Sequence, residues 1–158
     1  MRVQRLSERW MKMSFYDKKW PGISIYEDDR NLIQSIAQQP GPLKGIDAKE
    51  ALMIAAALAA KANASEVVPS QDRRIDTISP GNLNSYTEYK QFIALIYYLT
   101  TGEKNINKMN DPKILVENFV EYARRGLKML KANYLDSLDG GKKMEEQFAQ
   151  LLSTTRKN

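Results

Sequence analysis

The chain has 158 residues, of which 42% are hydrophobic and 27% charged, and its formal net charge is +5 at pH 7. This length and balance are typical of one globular domain with an apolar core, and they argue against a chain that is disordered throughout. Histidine and cysteine are both absent. Their absence excludes disulfides, thiolate chemistry and the histidine-based arrangements of most hydrolases, proteases and metalloenzymes. We therefore predict no catalytic residue, no metal site and no cofactor, and expect the protein not to be an enzyme.

Neither a membrane span nor an export signal is predicted. The longest apolar run, Ala51 to Ala60, covers only about half of a bilayer's hydrocarbon thickness and is mostly alanine. Residues 1–19 are basic and carry apolar side chains at helical spacing, but they lack the uninterrupted apolar stretch and the small-residue cleavage site of a signal peptide. These apolar residues are Val3, Leu6, Trp10 and Met13. The missing cysteines agree with a reducing compartment, and a cytoplasmic location is predicted.

The first half of the chain predicts a short strand and two helices. Ile23 to Tyr26 alternates apolar with polar residues after a Pro-Gly pair, which is the pattern of a strand. A helix follows up to Gln38, with Asp28 or Asp29 as its N-cap. Asp47 to Lys61 forms a second helix, because its start is a capping box and its body is rich in alanine. The small residues of this helix favour packing in the core, although the same face would also suit a dimer contact.

The second half predicts a long loop, two longer helices and an amphipathic end. Ala62 to Asn84 has the pattern of a loop that holds one short strand, between Arg73 and Ile78, and ends in a Ser-Pro-Gly-Asn breaker. Ser85 and Glu88 form a second capping box, which starts a helix that ends at a glycine and is buried on a broad face. The triplet Asn110-Asp111-Pro112 starts the next helix, which continues to Leu130 with Gly126 as its weakest position.

These elements predict a mainly α fold, a single-domain helical bundle of about five to six helices with one or two short β segments. The predicted organisation is a basic N-terminal extension at residues 1–19, a helical core domain at residues 20–139, and a C-terminal amphipathic helix with a polar tail at residues 140–158. A Gly-Gly pair marks the start of the last segment.

Three groups of side chains resemble functional sites but are better explained by structure. The acidic pairs Asp28-Asp29 and Glu145-Glu146 lie where helix caps and charged helix surfaces are expected. The stretch from Gly41 to Gly45 lacks both the spacing and the hydroxyl of a phosphate-binding loop. Four tyrosines follow helical spacing, which directs most of their rings towards neighbouring helices. They are Tyr86, Tyr89, Tyr97 and Tyr98.

Basic residues recur as adjacent pairs along the chain. The pairs are Lys18-Lys19, Arg73-Arg74, Arg124-Arg125 and Lys142-Lys143. On a common face they would attract phosphate groups through their charge and through counterion release, whereas scattered pairs would serve only solubility. The order strand, helix, turn, helix from Ile23 to Lys61 also resembles ribbon-helix-helix DNA-binding proteins, with Ser24 and Tyr26 facing outward.

Four short motifs follow one another between Asp28 and Leu130. They are Gly41-Pro42-Leu43, the run from Lys49 to Leu58, Ile93-Ala94-Leu95 before Thr101-Gly102, and Val120 to Ala123 with Gly126-Leu127. In this succession the chain resembles a small bacterial and archaeal family associated with DNA phosphorothioation systems. The resemblance implies a small helical accessory protein, and it carries over no catalytic residue.

The resemblance, the positive charge and the missing catalytic side chains together predict a function. The protein would be a non-enzymatic accessory protein of a prokaryotic DNA-modification or defence system, in contact with nucleic acid or with a nucleic-acid-bound partner. The candidate contacts are Arg73, Arg74, Arg124 and Arg125. The alternative is a helical protein-interaction module or homodimer without nucleic-acid binding, which would use the Ala-rich helix or the C-terminal helix. An enzyme built on Lys, Tyr or carboxylates is a third class, for which the sequence offers no constellation.

Overall fold

The structure is a computed structural model that describes residues 18–103 and 111–136 together with residues 146, 149 and 150. Five α-helices and two strands lie within these residues. The predicted fold class, a mainly α single-domain bundle with one or two short β segments, is therefore confirmed. The domain boundaries at residues 19 and 140 stay a prediction, since most of both end segments lies outside the described residues.

The elements succeed one another in the predicted order, with one additional helix. They are β1 (Ile23–Tyr26), α1 (Glu27–Gln38), α2 (Ala48–Lys61), β2 (Arg74–Ile78), α3 (Pro80–Ser85), α4 (Thr87–Thr101) and α5 (Pro112–Leu130), which continues into a π-helical turn (Lys131–Leu135). β1 and β2 pair antiparallel in a two-stranded sheet. Among the described residues, no helix is long and apolar enough to cross a membrane.

β1 shows the alternation that its sequence predicts. Ile23 and Ile25 are buried, whereas Ser24 and Tyr26 are half-buried on the other face. The hydroxyl of Ser24 donates a hydrogen bond of 2.7 Å to Asp76 of β2. The strand pairs with β2 of its own chain. The ribbon-helix-helix interpretation, which requires pairing between two copies, therefore does not describe this sheet.

The chain forms two compact units, and each unit combines distant parts of the sequence. The first unit contains the described parts of residues 1–24 and 76–120. Its core includes a cluster of aromatic rings, in which Tyr89 and Phe92 both meet Phe119 edge to face, with centroid distances of 5.7 and 6.2 Å. Edge-to-face contacts between such rings add to the free energy gained from removing their surface from water.

The second unit contains residues 25–75 and the described part of residues 121–158. The small residues of α2 lie in its core, where Ala51, Ala55, Ala56 and Ala59 are all buried. Gly126 of α5 lies directly against the backbone of Ala55, and a Cβ at residue 126 would overlap the Ala55 carbonyl group. The core packing predicted for the Ala-rich helix is thus what the structure shows. Gly126, unfavourable for an isolated helix, is what allows the two backbones to approach.

The predicted N-cap of α1, Asp28 or Asp29, is wrong by two or three residues. α1 begins at Glu27, and Tyr26 occupies the N-cap position without a side-chain cap bond. Asp28 and Asp29 lie within the first turn, where negative charge suits the positive end of the helix dipole. Asp29 is free for another contact because the backbone of the first turn does not need it as a cap.

The predicted breaker before α4 is in fact the helix α3. Ser79 is its N-cap and accepts a hydrogen bond of 3.2 Å from the backbone N–H of Asn82, and Pro80 occupies the first turn. Ser85 therefore ends α3 instead of capping α4, and its hydroxyl donates to the Asn82 carbonyl oxygen at 2.7 Å. α4 begins at Thr87 without a side-chain cap.

Asp47 caps α2 as predicted, since its carboxylate accepts a hydrogen bond of 2.8 Å from the backbone N–H of Glu50. The substitution Asp47→Ala is expected to lower the free energy of unfolding by about 1 kcal/mol, because that N–H loses its acceptor. Urea denaturation followed by circular dichroism measures the change. Asp47→Ser keeps an acceptor and should recover most of the loss. Equal midpoints for the Ala variant and the wild type would contradict a stabilising cap.

Candidate nucleic-acid interface

The structure separates the four candidate arginines into an exposed pair and a largely buried pair. Arg73 directly precedes β2 and Arg74 is its first residue, and both are exposed. Arg124 and Arg125 lie on α5, and only 10% and 11% of their side chains are exposed. All four lie in the second unit. They do not form one exposed basic face, and each pair has to be considered separately.

The exposed pair carries two weak contacts that leave its charge accessible. Nε of Arg73 lies 3.3 Å from a carboxylate oxygen of Glu27, and the Arg73 side chain is 78% exposed. The guanidinium of Arg74 lies over the ring of Tyr26, 5.0 Å from its centroid. An exposed ion pair contributes little free energy. The cation–π contact orients Arg74 without neutralising it, so both guanidinium groups remain available to an anion.

Arg124 is the centre of a buried polar cluster. Its Nε donates a hydrogen bond of 2.7 Å to Oδ2 of Asp29, and its Nη1 donates to the carbonyl oxygen of Val68. Its guanidinium also lies over the Tyr26 ring, 4.4 Å from the centroid. The remaining nitrogen, Nη2, is buried and has no hydrogen-bond partner in the described part of the chain. Arg124 thus joins the last residue of β1, the first turn of α1 and the segment before β2.

Asp29 is buried opposite Arg124, and its protonation depends on this contact. Burial raises the pKa of the Asp29 carboxyl above its ordinary value, whereas the hydrogen bond and the charge of Arg124 lower it and the charges of Asp28 and Asp72 raise it further. The balance is a raised pKa. A raised carboxyl pKa contributes stability that is present below the unfolded-state value of 3.8 and is lost as the pH rises through the folded-state value. Near neutral pH, the fold therefore relies on Arg124 to keep this carboxylate buried.

Arg125 and Lys128 attach residues 64–66 to α5. Arg125 donates to the carbonyl oxygens of Ala64 and Glu66, both at 2.9 Å, and to the carboxylate of Glu121 at 2.7 Å. Lys128 forms an ion pair of 2.6 Å with the Glu66 side chain. These contacts supply donors to carbonyl oxygens that a loop cannot pair with its own backbone. Arg125 therefore has a structural role, and the long predicted loop is held in place by basic side chains.

Several residues of this cluster were not anticipated from the sequence. The sequence pattern indicates a helix-cap role for Asp29. That local pattern does not indicate a contact with Arg124, which lies 95 positions away along the chain. Tyr26 was expected only as an outward-facing strand residue. The partners on the loop, Glu66 and Val68, carry no local signal of their role, because a carbonyl oxygen is present at every residue. Of the residues that form these contacts on α5, the sequence identified only the adjacent pair Arg124-Arg125 as candidates.

Other candidate features of the sequence prove less suited to an anion. The stretch from Gly41 to Gly45 borders a shallow groove of about 450 Å³, where Lys44 and Glu50 are the charged residues of a mostly apolar lining. Such a lining does not favour phosphate, in agreement with the absence of a phosphate-loop pattern. Within the described residues, no group of three acidic side chains is placed to hold a metal ion.

The four tyrosines of the predicted aromatic group divide evenly. Tyr89 and Tyr97 are buried in the first unit, as core packing predicts, whereas Tyr86 and Tyr98 are exposed. Tyr86 directly precedes the first residue of α4, and Tyr98 lies in its last turn, so the two exposed residues are at opposite ends of this helix. They do not form a continuous stacking surface of the kind that binds successive bases.

The sequence from residue 23 to residue 158 matches the family described as DNA sulphur modification system-associated protein 4. The chain belongs to this family. The resemblance to a phosphorothioation-associated family is therefore confirmed, and the match includes all four candidate arginines. Residues 1–22 lie outside it, and the match begins at the first residue of β1. Comparison with the curated proteins and with the solved structures finds no match.

Proposed function

We propose that the protein is a non-enzymatic, cytoplasmic accessory protein of a prokaryotic DNA sulphur modification system that contacts nucleic acid, or a partner bound to it, through backbone phosphates. The description of the family as associated with such a system supports the accessory role. The absence of histidine and cysteine supports a role without catalysis. The observation that supports a phosphate contact is the exposed pair Arg73-Arg74 at the start of β2.

The geometry of this pair suits a phosphate. Guanidinium groups present parallel donors that match two phosphate oxygens, and an arginine that is already oriented loses less side-chain entropy on binding. Arg74 is oriented by the Tyr26 ring. The exposed ion pair between Arg73 and Glu27 is weak enough to be exchanged for a phosphate.

Arg124 and Arg125 support the exposed pair in this proposal and do not contact the phosphate themselves. Arg124 contacts the same Tyr26 ring as Arg74, and Arg125 holds the segment that leads towards β2. Both are positioning residues in this proposal, and the direct contacts are assigned to Arg73 and Arg74.

The double variant Arg73→Ala/Arg74→Ala is expected to weaken binding to a labelled DNA duplex at low salt by about tenfold. It should also reduce the slope of log K against log salt by about 1 for each arginine that contacts a phosphate. The measurement is fluorescence anisotropy across a salt series. Lys113→Ala/Lys131→Ala is the matched control, since it removes two exposed charges elsewhere on the chain.

Two outcomes would overturn the proposed contact. One is a wild-type protein that does not bind duplex or single-stranded DNA even at low salt. The other is an equal loss in both double variants, which would mean that net charge alone attracts the DNA. Light scattering on the same samples addresses the alternative, because a salt-insensitive dimer without DNA affinity would favour a protein-interaction module.

A further inference from the structure

Glu27 lies beside the exposed arginine pair and carries the opposite charge. It is the first residue of α1, and Arg73 directly precedes β2. The backbone N–H of Glu27 donates a hydrogen bond of 3.1 Å to the Arg73 carbonyl oxygen, so the strand pairing continues for one residue beyond β1. Residues that face each other in an antiparallel ladder have their Cβ atoms only about 5 Å apart, on one side of the sheet. The strand pairing therefore brings these two side chains together.

The side-chain contact between Glu27 and Arg73 occupies a donor that a phosphate would use. Nε of Arg73 donates a hydrogen bond of 3.3 Å to Oε2 of Glu27. The two side chains are 78% and 41% exposed, so a ligand can reach both of them. A guanidinium binds carboxylate and phosphate oxygens with the same donors. A phosphate that binds Arg73 through Nε must therefore displace the Glu27 carboxylate, which repels the phosphate if it stays close.

The charged groups next to this ion pair have different contacts. Oδ1 of Asp28 accepts a hydrogen bond of 2.9 Å from the backbone N–H of Asp29, within the first turn of α1. The guanidinium of Arg74 lies over the uncharged ring of Tyr26. The two exposed arginines thus differ, since a carboxylate pairs with Arg73 and an aromatic ring orients Arg74.

We propose that Glu27 competes with phosphate for Arg73 and thereby lowers the affinity of the exposed pair for its ligand. This inference rests on the proposed function, because it concerns the same interface. In the free protein the carboxylate pairs with Arg73, and on binding it exchanges with a phosphate, whereas Arg74 is available throughout. An exposed ion pair is weak and is exchanged at small cost, so Glu27 reduces the affinity without blocking the site.

The substitution Glu27→Gln removes the negative charge and keeps nearly the same shape. It is expected to strengthen binding to a labelled DNA duplex by about threefold at low salt, and the gain should shrink as salt screens the exposed charges. Fluorescence anisotropy across a salt series measures both effects. Asp28→Asn is the matched control, since it makes the same change of charge at an exposed residue in the same helical turn. Both variants lose one favourable charge at the positive end of the helix dipole. The control should change the affinity much less.

Two arginine backgrounds locate the competition in a double-mutant cycle. The gain from Glu27→Gln should disappear in the Arg73→Ala background and persist in the Arg74→Ala background, because Glu27 pairs with Arg73. The proposal is wrong if Glu27→Gln weakens DNA binding, since Glu27 would then position Arg73 for the phosphate. It is also wrong if Asp28→Asn gives an equal gain, or if the gain persists without Arg73. Net charge alone would explain either of these results.

Inorganic tripolyphosphate separates this proposal from the proposed function, because it offers phosphate oxygens without nucleic acid. Its binding is followed by the NMR signal of the Arg73 Nε–H group, and Glu27→Gln should strengthen it by about threefold. If this gain is observed but the wild type does not bind DNA, the proposed function is wrong and the competition stands. If DNA binds through Arg73 and Arg74 but Glu27→Gln strengthens neither ligand, the competition is wrong and the interface stands. If neither ligand binds to any variant, both proposals are wrong.

Discussion

Replacement of Arg124 by methionine is expected to lower the free energy of unfolding by about 3–5 kcal/mol, because it leaves the buried Asp29 carboxylate without its cation. The same substitution removes the donor to the Val68 carbonyl oxygen and the guanidinium over Tyr26. Methionine keeps much of the volume of the side chain, so the loss reports on charge and hydrogen bonding more than on a cavity. Urea denaturation at neutral pH measures it.

The loss in the Arg124→Met variant should depend on pH with a defined sign. Without the guanidinium, the two effects that lower the pKa of Asp29 disappear, and burial raises that pKa further. The folded variant then binds a proton more tightly than the unfolded chain, so its deficit should be largest near pH 7 and should shrink towards about pH 4. A deficit that is the same at both pH values would contradict this account of the cluster.

Two further variants separate the causes of this loss. Arg73→Met removes the exposed ion pair with Glu27, and it should change the free energy of unfolding by less than about 1 kcal/mol. Asp29→Asn in the Arg124→Met background removes the buried charge, and it should recover a large part of the stability. If the double variant is no more stable than the single one, the loss came from the Val68 and Tyr26 contacts alone.

Substitution of Gly126 by leucine is expected to lower the free energy of unfolding by more than about 3 kcal/mol, or to prevent folding. A side chain at this position would overlap backbone atoms of Ala55, which belong to a helix and cannot rotate aside as a side chain can. Gly126→Ala is the smaller test. The substitution gains about 1 kcal/mol in helix propensity. The free energy lost when α2 and α5 are pushed apart should be larger than this gain.

Gly81 supplies the matched control for Gly126. It also lies in a helix, but a Cβ there meets no atom within 4 Å. Gly81→Ala is therefore expected to leave the stability unchanged or to raise it slightly, since alanine favours a helix more than glycine does. Circular dichroism during thermal unfolding compares the three variants. A Gly126→Ala protein as stable as Gly81→Ala would mean that α2 and α5 do not need their close approach.

Elements with local signals were predictable from the sequence. The cap of α2 depends on Asp47 and the backbone N–H of a residue three positions later, so its pattern is complete within one turn. The end of α4 is similarly local, because Gly102 adopts the left-handed conformation with φ +62°, which glycine favours. The alternation of β1 needs only neighbouring residues. In each case, the residues that determine the structure lie a few positions apart.

Local sequence patterns gave the wrong start of a helix where two patterns overlapped. Ser79 and Pro80 are a good helix start, but the following Gly81 and Asn82 suggested a turn, and the helix α3 was missed. Asp28 and Asp29 both suit an N-cap, but α1 begins before either of them, at Glu27, with Tyr26 as its N-cap. Packing of the strands and helices decides between such alternatives, because the free energies of single caps are small compared with those of burial.

The sequence by itself determined that the fold is mainly helical, that histidine and cysteine are absent, that the net charge is positive, and to which family the chain belongs. These properties depend on residue types and on their spacing over short distances. Only the tertiary structure decided which arginines are accessible. Arg73 and Arg124 carry the same side chain beside a second arginine, yet one is exposed next to Glu27 and the other is buried against Asp29. The difference arises from contacts between residues far apart in the chain, and burial and charge pairing depend on those contacts.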